Sequence, residues 1–217
     1  MVSYEAALGL SVAAVVLVTG SLSTHDIVSS QAHGRGAFGV VPYWNLFRLG
    51  ILPFAIFLIA ATAELNRPPF DLVEAEQELV GGYNTEYASI GFAFFFLAEY
   101  MNTITTSAII VTLFLGGPSG PRFFGHSIGL FWFLIKVFAF LYSYVWFRAT
   151  LPRFRYDQLM DLGWKRLIPL ALGWLLIVAA IRVNWRWSVG LVVGVALAGS
   201  LLYRAVVVSR QNAEVKS

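Results

Sequence analysis

Long apolar stretches separated by short polar segments dominate the chain, and six of them are candidates for membrane-crossing helices. A helix needs about 20 apolar residues to cross the roughly 30 Å hydrocarbon core of a bilayer. The candidates, named segments a to f, cover residues 6–22, 46–63, 88–116, 128–149, 167–181 and 187–208. Segment e is short unless Trp164, Lys165 and Arg182 extend to the membrane surface. Five residues separate segments e and f, which fits either a tight hairpin or one broken span.

This pattern predicts an all-α membrane protein, a polytopic transmembrane helix bundle with about six spans in one domain over residues 1–217. Composition agrees, because 58% of the residues are hydrophobic and 12% are charged, whereas soluble domains have about 45–50% and about 25%. The absence of cysteine excludes disulfides and thiolate-bound iron–sulfur clusters. The first five residues include Glu5 and no basic residue, so we predict no cleavable signal peptide.

The distribution of Lys and Arg predicts the orientation in the membrane. With six spans, the loops b–c and d–e share one side with both termini. That side carries nine basic residues, the other side carries five, and Lys136 lies inside segment d. Since basic residues are enriched in cytoplasmic loops, we expect an inner-membrane, multi-pass protein with loops b–c and d–e in the cytoplasm.

Seven of the twelve acidic residues fall between positions 64 and 99, beside one basic residue, Arg67. They are Glu64, Asp71, Glu74, Glu76, Glu78, Glu86 and Glu99. Pro68 and Pro69 end segment b, and a short acidic cytoplasmic helix is predicted from about residue 70 to residue 80. Neighbouring carboxylates resist joint ionisation, which suits them to hold and release protons. The alternative is a solvated acidic loop without chemistry.

Two ionisable residues lie within predicted spans. Glu99 is eleven residues into segment c, beside Asn102 and Thr103, and Lys136 is eight residues into segment d. A charged group inside a bilayer is costly and marks a functional site by default. The alternatives are a structural hydrogen bond for Glu99 and a charge-pairing or membrane-surface position for Lys136. Glu5, at the start of segment a, fits a helix-dipole partner equally well.

The sequence contains no pattern for a bound redox centre, metal or nucleotide. His25, His33 and His126 are predicted to lie in loops, and no two of them have the spacing of a metal pair on one helix. There is no phosphate-binding loop and no dinucleotide fingerprint. We therefore expect no metal, flavin or haem in this chain and no nucleic-acid partner.

Two blocks of sequence resemble one known family. The first is Ala63-Glu-Leu-Asn-Arg-Pro-Pro-Phe-Asp-Leu-Val-Glu-Ala-Glu-Gln-Glu-Leu-Val-Gly-Gly-Tyr-Asn-Thr-Glu-Tyr87, and the second is Arg148-Ala-Thr-Leu-Pro-Arg-Phe-Arg-Tyr-Asp-Gln158. Shorter matches include Ser3-Tyr-Glu5, Asp26-Ile-Val28 and Leu113-Phe-Leu-Gly-Gly117. The chain resembles the H subunit of the proton-translocating NADH–quinone oxidoreductase, respiratory complex I, over about residues 3–180. The helix at about 187–208 lies beyond the resemblance.

The resemblance implies a membrane subunit that forms part of a quinone chamber and of an acidic channel for proton translocation. Ubiquinone or menaquinone is the implied substrate, and the other complex I subunits and the lipid bilayer are the implied partners. It places Arg67, Phe70, Asp71, Glu74 and Glu76 in the quinone-chamber loop. The implied proton relay comprises Glu5, Glu64, Glu74, Glu76, Glu78, Glu86 and Glu99, to which Lys136 is added from its position in segment d.

The family has about three further spans ahead of Ser3-Tyr-Glu5, so this chain is expected to be a part of a longer protein. Two alternatives are kept open. One is the anchor subunit of a related membrane-bound hydrogenase or formate hydrogenlyase, which has the same fold. The other is a stand-alone structural or transport protein, which is expected to be stable by itself and to move a solute.

Overall fold

The computed structural model describes residues 2–32, 43–71, 89–120 and 129–183, together with Gly190 and Gly194, and its described elements are all helical. The helices are α1 (Val2–Thr19), α2 (Thr24–Ala32), α3 (Asn45–Arg48), α4 (Ile51–Glu64), α5 (Ser89–Phe114), α6 (Gly129–Thr150), α7 (Tyr156–Asp161), a π-helical segment (Leu162–Leu167) and α8 (Ile168–Val183). Within the described ranges, four helical stretches are long and apolar enough to cross a membrane: Val2–Thr19, Ile90–Phe114, Gly129–Thr150 and Tyr156–Val183. The predicted all-helical polytopic membrane protein is confirmed.

Helix α1 lies at the centre and packs against α4 and α8. Small side chains form these contacts: Ala14 and Ala61 pack with Val178 in one cluster, and Ala7 and Ala60 belong to a second. All four alanines are almost completely buried. Within a membrane, small residues allow helices to approach closely, and close van der Waals packing is the main attraction between them.

Helices α5 and α6 pack against each other at one side of the bundle. Helix α6 has two buried residues, Val137 and Tyr144, and its other apolar side chains include the exposed Phe138 and Trp146. A surface this apolar is suited to hydrocarbon rather than water.

The prediction of segment b as one continuous span is wrong. The helix breaks at Leu49 and Gly50, between the four-residue α3 and the fourteen-residue α4. Gly50 adopts a φ of 84°, which is a left-handed conformation that glycine enters without a steric penalty. A β-carbon at Gly50 would lie 3.3 Å from the Trp174 ring. Position 50 therefore both turns the chain and admits a tryptophan from α8.

Segment e is longer than predicted. The helix runs from Tyr156 to Val183 through the π-helical segment. Lys165 and Arg166, which were expected in the preceding loop, lie inside it, and the Lys165 ammonium pairs with Asp161 at 2.6 Å. His25 is likewise helical, in α2, rather than in a loop.

Other predictions fall wholly or partly outside the described residues. They concern the acidic helix after residue 71, with Glu74, Glu76, Glu78 and Glu86, and segment f apart from Gly190 and Gly194. Phe70 and Asp71, with which the acidic helix was predicted to begin, are not helical.

The bundle has two chemically different ends. The "acidic end" contains residues 64–71, the beginning of α1 and the end of α6; there the Tyr4 hydroxyl donates to the Leu159 carbonyl at 2.6 Å. The "opposite end" contains α2, α3 and the carboxyl ends of α1, α5 and α8. There Gln31 donates to the carbonyl oxygens of Thr112 and Leu113 at 3.2 and 3.3 Å.

We expect Gly163→Ala to lower the thermal unfolding midpoint in detergent, with a cost of about 1–3 kcal/mol for overpacking. A β-carbon at position 163 would lie 2.8 Å from Ser3 Oγ and 3.3 Å from Ser3 Cβ, so the π-helical segment would have to move away from α1. The matched control is Gly9→Ala, since nothing lies within 4 Å of that site. Equal midpoints for the two variants would contradict the close contact between α1 and the π-helical segment.

Candidate functional site

The centre of the acidic end is an ion pair between Arg67 and Glu99. Arg67 Nη2 lies 3.2 Å from Glu99 Oε1, and the exposed fractions of the two side chains are 9% and 37%. Arg67 follows α4, whereas Glu99 is on the third turn of α5. The arginine thus supplies the partner that a carboxylate at this depth in a span requires. It joins the segment after α4 to the helix that follows the acidic loop.

The turn that carries Arg67 is fixed by backbone hydrogen bonds. The Arg67 N–H donates to the Thr62 carbonyl at 3.2 Å, and the Arg67 carbonyl accepts from the Phe70 N–H at 2.9 Å. Asn66 makes the turn possible with a φ of 49°, which asparagine tolerates better than most residues. These bonds fix the backbone position from which the Arg67 side chain reaches Glu99 on α5.

Phe70 and Asp71 are both buried below this turn. The Phe70 ring lies between the rings of Tyr4 and Phe154, with centroid distances of 5.6 and 5.5 Å. The Asp71 carboxylate is 1% exposed, and its Oδ2 atom is 3.9 Å from Arg153 Nη2. Phe70 therefore anchors the loop against α1, and Asp71 links it to the basic segment before α7.

A cavity of about 350 Å³ opens between α5 and α6 beside Arg67. Its walls are formed by Arg67, Tyr100, Thr103, Ile104, Leu141, Tyr144, Val145 and Arg148. Ligand pockets typically have volumes of about 300–1,000 Å³ and an apolar lining with a few polar groups. Two guanidinium groups and two phenol rings around aliphatic walls suit a flat apolar molecule that carries hydrogen-bond acceptors.

Arg67 and Tyr144 are two of the polar residues that line this cavity. The Arg67 guanidinium lies 5.3 Å from the centre of the Tyr100 ring, a cation–π distance. The Tyr144 hydroxyl is buried near Thr62, but it makes no hydrogen bond of normal geometry with the described residues. Thr62 instead donates its own hydroxyl to the Leu58 carbonyl at 2.7 Å.

The structure brings together four of the predicted site residues: Arg67, Glu99, Phe70 and Asp71. Glu5 and Glu64 are exposed, and within the described ranges neither forms an ion pair with Arg67. Glu74, Glu76, Glu78 and Glu86 lie outside the described residues. The described residues also contain no group of three or more histidine, aspartate or glutamate side chains that could hold a metal ion.

Lys136 lies at the opposite end, far along the chain from the acidic cluster. Its ammonium donates to the carbonyl oxygens of Leu115, Gly117 and Ser119 at 2.7, 3.0 and 2.6 Å. It also lies 4.6 Å from the centre of the Trp44 ring. All three donors of the ammonium are thus used, and Lys136 fastens α6 to the carboxyl end of α5. Its predicted relay role stays a prediction.

Of the eight residues that line the cavity, Arg67 alone was among the predicted site residues. The polar ones that were not predicted are Tyr100, Thr103, Tyr144 and Arg148. The sequence spacing could have shown that the lining residues of α6 share one helix face, because Leu141, Tyr144, Val145 and Arg148 follow the pattern i, i+3, i+4, i+7. Tyr100, Thr103 and Ile104 repeat the first three positions of that spacing. In a helix that is apolar on all sides, such a mixed face does not stand out by hydropathy.

Comparison with known proteins identifies relatives of high sequence identity. A family model described as NADH dehydrogenase matches residues 1–179. A protein from Frankia alni that is named as the H subunit of NADH-quinone oxidoreductase is 47% identical, over 93% of this chain and 46% of its own length. Proteins with the same name from Ralstonia nicotianae and Thermomicrobium roseum are 51% and 50% identical, over 82% and 88% of this chain and 52% and 54% of theirs. The chain therefore spans about half the length of these curated relatives.

We expect Lys136→Met to destabilise the chain by about 3 kcal/mol, measured as thermal or denaturant unfolding in detergent. Methionine keeps the apolar stem but leaves three carbonyl oxygens without their donor, and a buried polar group that loses its partner costs about 1–3 kcal/mol. Ser143→Ala on the same helix is the control, because its hydroxyl bonds only within α6, to Ala139. An equal, small effect of both substitutions would rule out a structural role for the ammonium.

A double-mutant cycle tests the ion pair. Arg67→Gln and Glu99→Gln should each destabilise the chain, and their effects should be non-additive by about 1 kcal/mol, since Glu99 is partly exposed and the pair is partly screened. The control cycle uses Arg155 and Asp157, whose side chains are 3.4 Å apart and 82% and 77% exposed. We expect no measurable coupling there. Additive effects at positions 67 and 99 would contradict the pair.

Proposed function

Because this chain belongs to the NADH dehydrogenase family that its sequence matches over residues 1–179, we propose that it acts as the H subunit of a proton-translocating NADH–quinone oxidoreductase. Its role is that of a membrane subunit without a redox centre, and it acts together with the other subunits of the complex. Quinone is the proposed substrate. We further propose that residues 1–217 form a single transmembrane domain.

One observation carries the site-level part of this proposal: Arg67, buried and paired with Glu99, forms one wall of the cavity between α5 and α6. A quinone matches the lining of this cavity, because its flat ring and apolar tail suit the aliphatic and aromatic walls and its two carbonyl oxygens can accept hydrogen bonds. A guanidinium can donate to a carbonyl oxygen and to a carboxylate at once, because it has five N–H donors.

The proposed coupling follows from competition for Arg67. Reduction of a quinone to a quinol takes up two electrons and two protons, and negative charge develops on the ring oxygens as the electrons arrive. That charge attracts the Arg67 guanidinium and weakens its hold on Glu99. A carboxylate that loses its cation in a low-dielectric site binds a proton more readily. Glu99 thereby converts an electron-transfer event into proton uptake.

The remaining acidic residues extend this path in the proposal. Glu64, Glu74, Glu76, Glu78 and Glu86 would lead from the chamber loop on the cytoplasmic side, and Glu5 would continue the path at the start of α1. Asp71 would hold the loop through Arg153, at 3.9 Å. A distribution over several carboxylates suits proton transfer, because each step needs a neighbouring acceptor.

We expect Glu99→Gln, in an assembled complex that contains this chain, to lower quinone-linked proton pumping by roughly tenfold or more, since a positioned proton-transfer group typically contributes a factor of about 100 or more. Pumping is measured as acidification or alkalinisation of proteoliposomes, with subunit content checked on native gels. Asp157→Asn is the control, because its side chain is 77% exposed on the surface. Normal pumping and turnover in the Glu99 variant would remove Glu99 from the proposed path.

A further inference from the structure

A second cavity, of about 530 Å³, lies at the opposite end of the bundle, between the carboxyl ends of α1 and α8 and the break before α4. Arg48 and Arg182 stand at its rim, and Val18, Trp174, Val178 and Ile181 contribute apolar walls. It shares none of its lining residues with the cavity beside Arg67. It therefore requires its own explanation.

The two arginines converge on one atom. Arg48 Nη2 donates to the Val18 carbonyl at 3.5 Å, and Arg182 Nη2 donates to the same oxygen. Two guanidinium groups held this close repel each other, and the repulsion is stronger near a membrane than in bulk water. Each arginine uses one of its five donors on Val18, so several donors remain for an anion at the rim.

No carboxylate among the described residues neutralises this pair of charges. The described acid at this end, Asp26, accepts a hydrogen bond from Ser21 at 2.7 Å, and neither arginine forms an ion pair within the described ranges. Arg48 also lies 5.3 Å from the centre of the Tyr43 ring, which orients it without supplying negative charge. Within the described part of the chain, the site thus carries two positive charges without a carboxylate partner.

The position of the charges along the helices specifies the shape of a ligand. Val18 and Arg182 are the penultimate residues of two membrane-crossing helices. The ends of such helices lie at the level of the lipid headgroups. Trp174 precedes Arg182 by eight residues on the same helix, so it lies about 12 Å deeper at 1.5 Å per residue. The cavity accordingly pairs a cationic rim with an apolar wall that descends into the hydrocarbon.

We propose that this cavity binds one glycerophospholipid with a net negative headgroup, with its phosphodiester between Arg48 and Arg182 and an acyl chain along Val178 and Trp174. Free phosphate would leave the apolar wall unused. A zwitterionic lipid brings its own cation to a site that already has two. The bound lipid would join α1, α8 and the start of α4 at the membrane surface.

The test uses the purified full chain in a neutral detergent, titrated with phosphatidylglycerol that carries bromine atoms on its acyl chains. Bromine quenches nearby tryptophan fluorescence, and the part of the quenching that disappears in Trp174→Phe reports on this cavity. That substitution sacrifices no hydrogen bond with the described residues, since the Trp174 indole N–H has none. We expect saturable quenching of Trp174.

Charge variants then test the rim. We expect Arg48→Gln or Arg182→Gln to weaken binding about fivefold each, and the double variant about thirtyfold, because a basic residue near a bilayer surface contributes on the order of a fivefold gain in affinity for an anionic lipid. The pair Arg48→Lys and Arg182→Lys keeps the charge and should bind within about threefold of the unmodified chain. Arg155→Gln, on an exposed arginine at the acidic end, should leave binding unchanged. Circular dichroism checks the helix content of each variant.

Four results would overturn the proposal. Brominated phosphatidylcholine that quenches Trp174 with equal affinity would show unspecific contact with lipid. Displacement of the lipid by millimolar inorganic phosphate would show a free-anion site. Unchanged affinity in the folded double Gln variant would exclude the arginines as the headgroup site, and quenching that is unaffected by Trp174→Phe would place the lipid elsewhere.

Discussion

The carbonyl oxygens at the carboxyl end of α5 are buried within the protein and take their hydrogen bonds from three other elements of the bundle. A helix leaves its last carbonyls without partners inside the helix, and a buried carbonyl oxygen without a donor is costly. Gln31 from α2 donates to Thr112 and Leu113, and Asn45 Nδ2 from α3 donates to Leu113 at 2.8 Å. Lys136 from α6 donates to the carbonyl oxygens of Leu115, Gly117 and Ser119, which follow the end of α5. Three separate elements are thereby joined at one helix end.

The same helix connects this anchored end with the ion pair at the other. Helix α5 carries Glu99 near its start and Leu113 near its carboxyl end, so the depth of Glu99 in the bundle is fixed by bonds made about 14 residues away. Two glycines in left-handed conformations, Gly116 and Gly117, turn the chain so that its carbonyls face Lys136. The position of α5, and with it that of the Arg67–Glu99 pair, is thus held by hydrogen bonds from Gln31, Asn45 and Lys136 at the opposite end.

Hydropathy was sufficient to predict α1, α5 and α6, because a membrane span is specified mainly by length and by the absence of charge. It could not predict the break at Gly50 or the extension of α8 back to Tyr156, since both depend on contacts with residues far away in sequence. Gly50 borders Trp174, and Gly163 borders Ser3. The cost of an acid in a span was enough to predict that Glu99 needs a partner. That the partner is Arg67, and that two tyrosines line the cavity, depends on the relative positions of α5 and α6.

The hydrogen bond from Tyr4 to Leu159 joins residues that are 155 positions apart. During synthesis of the chain, a delay therefore separates the appearance of the two partners. Helix α1 is synthesised long before the π-helical segment and α8, which cover one of its faces. At about 5–20 residues per second, the wait is roughly 10–30 s. During that interval α1 can pack against α2 and α4, but not yet against the π-helical segment and α8. The packing of α1 is therefore completed only after α8 has been synthesised, and until then lipid must cover the face of α1 that α8 later occupies.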